Sequence, residues 1–186
     1  MRILALHGYQ TSGIIMKNQS KYMTKILNYN FIFPNAPNIS LSNDVPEIIT
    51  KFYKKPYYEW YKYDYNNNIY HGLDESINLI KTLGKFDGVV GFSQGACMAP
   101  NILDIVDAKF FISISGINMY NCDKKYNIPS FHFIGNNDPI RNKSLDFVKQ
   151  FDKPKVFWYN GGHQIPFAKS KDDFIKCDKY IQKIVS

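Results

Sequence analysis

The sequence predicts an α/β fold, a mostly parallel sheet of about six strands with helices on both faces. Three observations carry this. Short apolar runs alternate with amphipathic stretches along nearly the whole chain. The runs end in glycine-, asparagine- or proline-rich turns. And the stretch "VVGFSQGAC", residues 89–97, sets a serine between two glycines where one such run stops and a helical pattern starts.

The elements follow in order. Residues 3–7, "ILALH", are a short buried strand closed by Gly8. Residues 14–29 read as a helix, with Met16, Met23, Ile26 and Leu27 partly at helical spacing. "NYNFIFPNAP" holds a second strand, stopped by Pro34 and Pro37. Residues 38–70 are rich in Asn, Tyr and Pro and give no clear period, with a short helix expected near 46–54. In "GLDESINLIKTLGKF", Leu73, Ile77, Ile80 and Leu83 mark an amphipathic helix with Gly84 as its stop. "FDGVVGFS" is a strand, and "QGACMAPNILDIV" is a helix that Pro100 kinks or shortens. "KFFISISG" and "PSFHFIGNND" are strands, residues 142–151 a helix, "KVFWYNGG" a sixth strand and residues 171–185 a closing helix. At 186 residues, without repeats, low-complexity tracts or a linker, the chain reads as one domain, 1–186.

Composition narrows the function classes. The formal charge is +7, from 23 Lys and Arg against 16 Asp and Glu. The lysines are scattered and form no block of like charge, so the charge alone does not point to nucleic acid. The three cysteines, Cys97, Cys122 and Cys177, are an odd, widely spaced set. That fits neither a disulfide framework nor a zinc spacing and favours a reducing compartment. No stretch approaches the roughly 20 apolar residues of a membrane span. The first apolar run is broken by His7 and Gly8, unlike a signal peptide. These readings together expect a soluble, cytoplasmic protein.

Parallel sheets of this kind bind ligands at the carboxyl ends of their strands, so the loops after the strands are where chemistry is expected. Ser93 follows a buried strand and precedes a helix, the context that makes Gly-x-Ser-x-Gly a nucleophile elbow. Gly91 and Gly95 leave room where side chains would meet neighbouring backbone. A serine hydroxyl is a weak nucleophile until a base takes its proton. Of the four histidines, His163 in "YNGGHQIP" lies in the loop after the last strand. His132 sits in mid-strand, where a buried structural role is expected, and His71 lies in the irregular region. Asp138, in the loop closing "FIGNND", is the carboxylate placed to fix the histidine's tautomer. The chain order is Ser93, Asp138, His163. The helix after Ser93 leaves the N–H of Gln94 free to meet a substrate oxygen, with the helix dipole in support. The turn "LHGYQTSG" offers the N–H of Tyr9 as a second donor, with His7 and Gly8 shaping the turn. Cys97, one helical turn past Ser93, is a poor rival nucleophile because a helix-interior thiol faces the core.

These blocks together resemble the FSH family of serine hydrolases, within the α/β-hydrolase superfamily. The resemblance runs from "ILALHGYQTSG" through "GLDESI", "FDGVVGFSQGACMA", "FFISISG" and "IPSFHFIGNND" to "GGHQIP". It implies an α/β-hydrolase fold and a cytosolic carboxylic-ester hydrolase working without metal or organic cofactor. It also implies that Ser93, Asp138 and His163 carry the family's triad. Acyl-protein thioesterases and carboxylesterases share the "GFSQG" elbow, so thioesters are the alternative substrates. A non-catalytic binding module on the same fold is the alternative of another class. Residues 38–70 depart from the resemblance. They hold the aromatic cluster "YYEWYKYDY", in which Trp60 is the candidate wall of an acyl pocket. Packing back onto the sheet is the competing role, and the commoner fate of a buried aromatic.

Overall fold

A computed structural model describes residues 1–42, 44–120 and 124–186. Cys122 lies outside the described residues. The six strands expected from the apolar runs pair into one sheet, β1 (Arg2–Leu6), β2 (Asn30–Ile32), β7 (Gly88–Phe92), β8 (Phe110–Ile114), β9 (Ser130–Gly135) and β10 (Lys155–Tyr159). Their order across the sheet is β10-β9-β8-β7-β1-β2, and every pairing is parallel. The chain starts at β1, moves outward to β2, then returns to the far side of β1 and runs outward again. The reversal falls between β1 and β7, so the loops after these two strands diverge and leave a crevice. Tyr9 and Ser93 sit in those two loops.

Alternation along the strands sorts side chains into two cores. Ile3, Ala5, Val90, Phe110, Ile112 and Phe133 face one way and meet Met16, Met23, Phe174 and Ile181. These come from α1 (Gly13–Gln19), α2 (Lys21–Leu27) and α7 (Lys171–Val185). Leu4, Leu6, Val89 and Phe111 face the other way and meet Ile80 and Phe147, from α4 (Leu73–Thr82) and α6 (Arg141–Val148). The four central strands, β1, β7, β8 and β9, are buried on both faces and so read as continuous apolar runs.

Three expected elements differ from what forms. The single helix over 14–29 is two helices broken at Ser20. The Ser20 hydroxyl donates to the Met16 carbonyl at 2.7 Å, the local competition by which serine bends helices. The chain then leaves the second helix through Asn28 in a left-handed conformation, φ 48°. The helix after Ser93 lasts only from Gln94 to Met98 (α5) and passes into a 3-10 turn over Ala99–Asn101 that contains Pro100. Pro100 lacks the N–H that would continue the ladder. The described part of 38–70 holds more regular structure than its composition suggests. β3 (Asn38–Ile39) pairs antiparallel with β4 (Tyr58–Glu59), and β5 (Lys62–Asp64) with β6 (Ile69–His71). The short helix expected near 46–54 is α3 (Glu47–Phe52).

Two histidines belong to the core. His132 on β9 is surrounded by Phe111, Phe147 and Phe151, and burial pulls its imidazole down to about 3. His7 is fully buried. Its Nδ1–H donates to Gly8 O at 2.8 Å, and its Nε2 accepts the Ala36 N–H at 3.0 Å. A second proton would set N–H against N–H, and burial lowers this imidazole to about 4. Both rings therefore stay neutral where an unfolded histidine, near pKa 6.5, takes up a proton. The unfolded state then binds more protons, so stability falls as pH drops from about 7 and levels off below the folded values. Between pH 7 and pH 5 each histidine is expected to remove on the order of 1–2 kcal/mol. Urea midpoints across this range should follow that slope, and His132→Leu should flatten part of it.

Candidate active site

The turn after β7 is built around a strained residue. Ser93 has φ 51°, ψ −118°, a backbone region disfavoured for any residue with a Cβ. It is gripped from both sides: its N–H donates to Ile114 O at 2.9 Å, and its carbonyl accepts the Cys97 N–H at 3.0 Å. The flanking glycines are required by space. A Cβ on Gly91 would lie 2.5 Å from the Ala96 Cα, and one on Gly95 would lie 2.3 Å from the Leu6 carbonyl oxygen.

The structure brings Ser93, Asp138 and His163 together. His163 Nε2 lies 2.9 Å from Ser93 Oγ, and His163 Nδ1 lies 3.0 Å from Asp138 Oδ2. Asp138 is almost wholly buried and carries two further donors. The Ser115 hydroxyl donates to Oδ2 at 2.7 Å, and the Ile140 N–H donates to Oδ1 at 3.0 Å. A carboxylate with every oxygen answered by a donor holds its orientation without water. Ser115 is a residue that sequence reasoning missed. Its signal was its place in the loop after β8, in "FFISISG", and it too has positive φ, 52°.

The main-chain N–H groups of Tyr9 and Gln94 have no acceptor among the described residues. With α5 so short, the N–H itself matters there more than a long helix dipole. The Gln94 side chain has a second task. Its Oε1 accepts the Trp60 N–H at 2.8 Å, and its Nε2 donates to Tyr61 O at 2.8 Å. It ties the turn after β7 to the aromatic segment.

Of the two roles expected for Trp60, the structure shows packing back onto the sheet. Its side chain is wholly buried, packed in the core on the face shared with Leu6 and Ile80. Its indole N–H donates to His7 O at 2.8 Å, and its ring lies 4.9 Å from the His7 imidazole. An indole needs one polar partner when buried, and the strand end of β1 supplies it. Cys97 lies behind Ser93, its thiol donating to Ser93 O at 3.1 Å. Burial pushes that thiol up to about 11, so it is not a thiolate near neutral pH. His71 lies on exposed β6, 3.8 Å from Asp64, away from Ser93.

Two clefts open from Ser93. One, of about 330 Å³, is lined by His163, Gln164 and Ile165 and by Pro46, Ile48 and Phe167 among others. The other, of about 470 Å³, is lined by Tyr61, Tyr63, Tyr65, Tyr70 and Tyr120 and reaches Cys97 and Met119. Ser93 and Tyr9 border both. Among the described residues no group of three or more His, Cys, Asp or Glu side chains is placed to hold a metal ion. Nor is any described helix long and apolar enough to cross a membrane.

Comparison with known proteins agrees with this architecture. The chain is 29% identical to "Esterase CG5412" of Drosophila melanogaster over 202 residues, covering 94% of this chain and 72% of that protein. It is 25% identical to "Esterase OVCA2" of Danio rerio over 221 residues, covering 95% of this chain and 96% of that protein. Among solved structures it is similar to Arabidopsis thaliana SOBER1, with a TM-score of 0.66 at 15% identity, over 100% of this chain and 99% of that one. The Bacillus cereus carboxylesterase superposes with a TM-score of 0.62 at 15% identity, over 98% of this chain and 87% of that one. These two share the α/β-hydrolase fold with it. The family model described as "Serine hydrolase (FSH1)" matches residues 1–175, nearly the whole chain, and the chain belongs to that family of serine hydrolases.

Proposed function

We propose that the chain hydrolyses carboxylic esters through a covalent acyl-enzyme on Ser93. The observation that carries the reading is the unbroken contact from Ser93 Oγ to His163 Nε2, 2.9 Å, and from His163 Nδ1 to Asp138 Oδ2, 3.0 Å. His163 Nε2 takes the Ser93 proton as Oγ bonds to the ester carbonyl carbon. The carbonyl oxygen gains charge and is met by the N–H groups of Tyr9 and Gln94. The bond from carbon to the leaving oxygen breaks, and that oxygen takes the proton from His163. A water molecule then adds to the acyl carbon, giving its proton to His163. The carbon–Ser93 bond breaks, and Oγ recovers the proton. Asp138 acts as a positioning residue: it keeps the Nδ1–H tautomer, so that Nε2 is free to accept. The names of the curated relatives, esterases of insects and a fish, support esters as the substrate.

The test is intact mass after incubation with a fluorophosphonate, which requires an activated serine. One adduct is expected on the wild-type chain and none on Ser93→Ala. Absence of an adduct on both would overturn the reading and put a non-catalytic binding module ahead of it.

A further inference from the structure

We infer that the tyrosine-lined cleft is the acyl subsite and that it takes an aromatic acyl group, an aryl or arylalkyl carboxylate. This rests on the proposed hydrolysis at Ser93. The assignment of sides comes from proton transfer. The leaving oxygen takes its proton from His163 and must lie within hydrogen-bond reach of it. His163, Gln164 and Ile165 all line the smaller cleft, and none of them lines the larger. The alcohol therefore leaves through the smaller cleft. With the carbonyl oxygen turned toward Tyr9 and Gln94, the remaining substituent of the reacting carbon is the acyl group, and the larger cleft is what remains for it. Deacylation points the same way. The attacking water also needs His163, so the cleft beside that ring has to be vacant while the acyl group stays bound.

The chemistry of the larger cleft selects the class. Tyr63 and Tyr120 stack, with ring centres 4.7 Å apart and planes 11° apart. Tyr65 meets Tyr120 edge-on, and Tyr70 meets Tyr61 edge-on. Tyr63 and Tyr70 are register partners across the β5–β6 hairpin. The phenol ends are tied at the rim: the Tyr65 hydroxyl donates to the Tyr120 hydroxyl, and the Tyr70 hydroxyl donates to Tyr120 O, each at 3.2 Å. Rings whose hydroxyls are already engaged present faces and edges, which favour another ring in offset or T-shaped contact over a flexible alkyl chain. Lys62 lines the same cleft, which disfavours a cationic occupant that tyrosines would otherwise attract.

The test compares two isomeric esters that differ only in the direction of the ester bond, ethyl 3-phenylpropanoate and 2-phenylethyl propanoate. Both release a simple primary alcohol, so intrinsic reactivity is matched. The wild-type chain is expected to cleave the first with a kcat/KM roughly tenfold or more above the second, the effect of one or two ring contacts. Tyr63→Leu should bring the ratio toward one, and Tyr63→Phe should keep it. A merely structural defect would lower both rates together and leave the ratio unchanged. If circular dichroism shows Tyr63→Leu unfolded, the more exposed Tyr65→Leu serves in its place. A wild-type ratio at or below one, or a ratio that the folded leucine variant leaves unchanged, would overturn the assignment. Faster cleavage of ethyl octanoate than of ethyl 3-phenylpropanoate would overturn the aromatic class, as would failure to cleave either isomer. Fluorophosphonate labelling of the same sample separates the levels. An adduct with a failed ratio removes only this inference; no adduct removes the hydrolase reading beneath it.

Discussion

Replacing Ser93 by glycine is expected to abolish hydrolysis and, at the same time, to make the protein harder to unfold. The rate follows from the proposed role: without Oγ no acyl-enzyme forms, and loss of a nucleophile from such a unit costs about 10⁶ in kcat. The stability follows from the backbone. Ser93 is held at φ 51°, ψ −118°, a conformation that costs about 1–3 kcal/mol for a residue with a Cβ. The turn cannot relax, because its N–H is bound to Ile114 O and its carbonyl to the Cys97 N–H. Glycine removes the strain but loses about 0.5–1 kcal/mol in extra unfolded-state freedom. The net expectation is a gain of about 1 kcal/mol for Ser93→Gly and none for Ser93→Ala, which keeps the Cβ. Urea unfolding of the two variants, beside hydrolysis of a p-nitrophenyl ester, measures both effects. Equal stability of the glycine and alanine variants would mean that the strain relieved only matches that entropy loss, and a glycine variant about 0.5–1 kcal/mol less stable than alanine would mean that the turn stores none. Residual activity near the wild-type rate in either would mean that Ser93 is not the nucleophile.

That a serine sits in so disfavoured a conformation explains why the site was readable at all. The glycines at 91 and 95 are dictated by backbone 2.5 Å or less from any added Cβ, so the motif records geometry as much as chemistry. Asp138 and His163 were found because each follows an apolar run on the same sheet edge. The four central strands were legible because both of their faces are buried, so the signal needed no period. What stayed hidden depends on distant parts of the chain. The β3–β4 and β5–β6 pairs are two or three residues long, too short to show alternation. The neighbours of Trp60 in sequence left pocket wall and packing side by side, because its partner is the His7 carbonyl, 53 positions away. Ser115 is one ordinary serine in "SISG" until the fold sets its hydroxyl 2.7 Å from Asp138. The break at Ser20 was the one local signal overlooked: a serine in mid-helix whose hydroxyl can reach back to the carbonyl four residues earlier.

Asp138→Asn is expected to lower kcat about 10³–10⁴-fold with little change in the surrounding geometry. Asp138 receives three donors, His163 Nδ1 and the Ser115 hydroxyl on Oδ2 and the Ile140 N–H on Oδ1. An asparagine has one acceptor oxygen and one NH₂ group. If the oxygen stays with the Ile140 N–H, the NH₂ faces His163 and forces Nδ1 to accept. The ring proton then moves to Nε2, which can no longer take the Ser93 proton. If the amide turns over, the histidine keeps its tautomer, but the NH₂ opposes the Ile140 N–H in a buried site, a loss of stability rather than of rate. The two outcomes separate in a paired measurement of kcat and urea midpoint. Ser115→Ala is the control, since it removes one donor from Oδ2 and leaves the carboxylate facing His163. It should cost about tenfold, the worth of one hydrogen bond to a charged group. A large loss in Asp138→Asn with a small loss in Ser115→Ala would place the effect on the tautomer of His163. Comparable losses in both would place it on the charge and position of the carboxylate, and a rate within tenfold of wild type in Asp138→Asn, with the midpoint unmoved, would take Asp138 out of the mechanism.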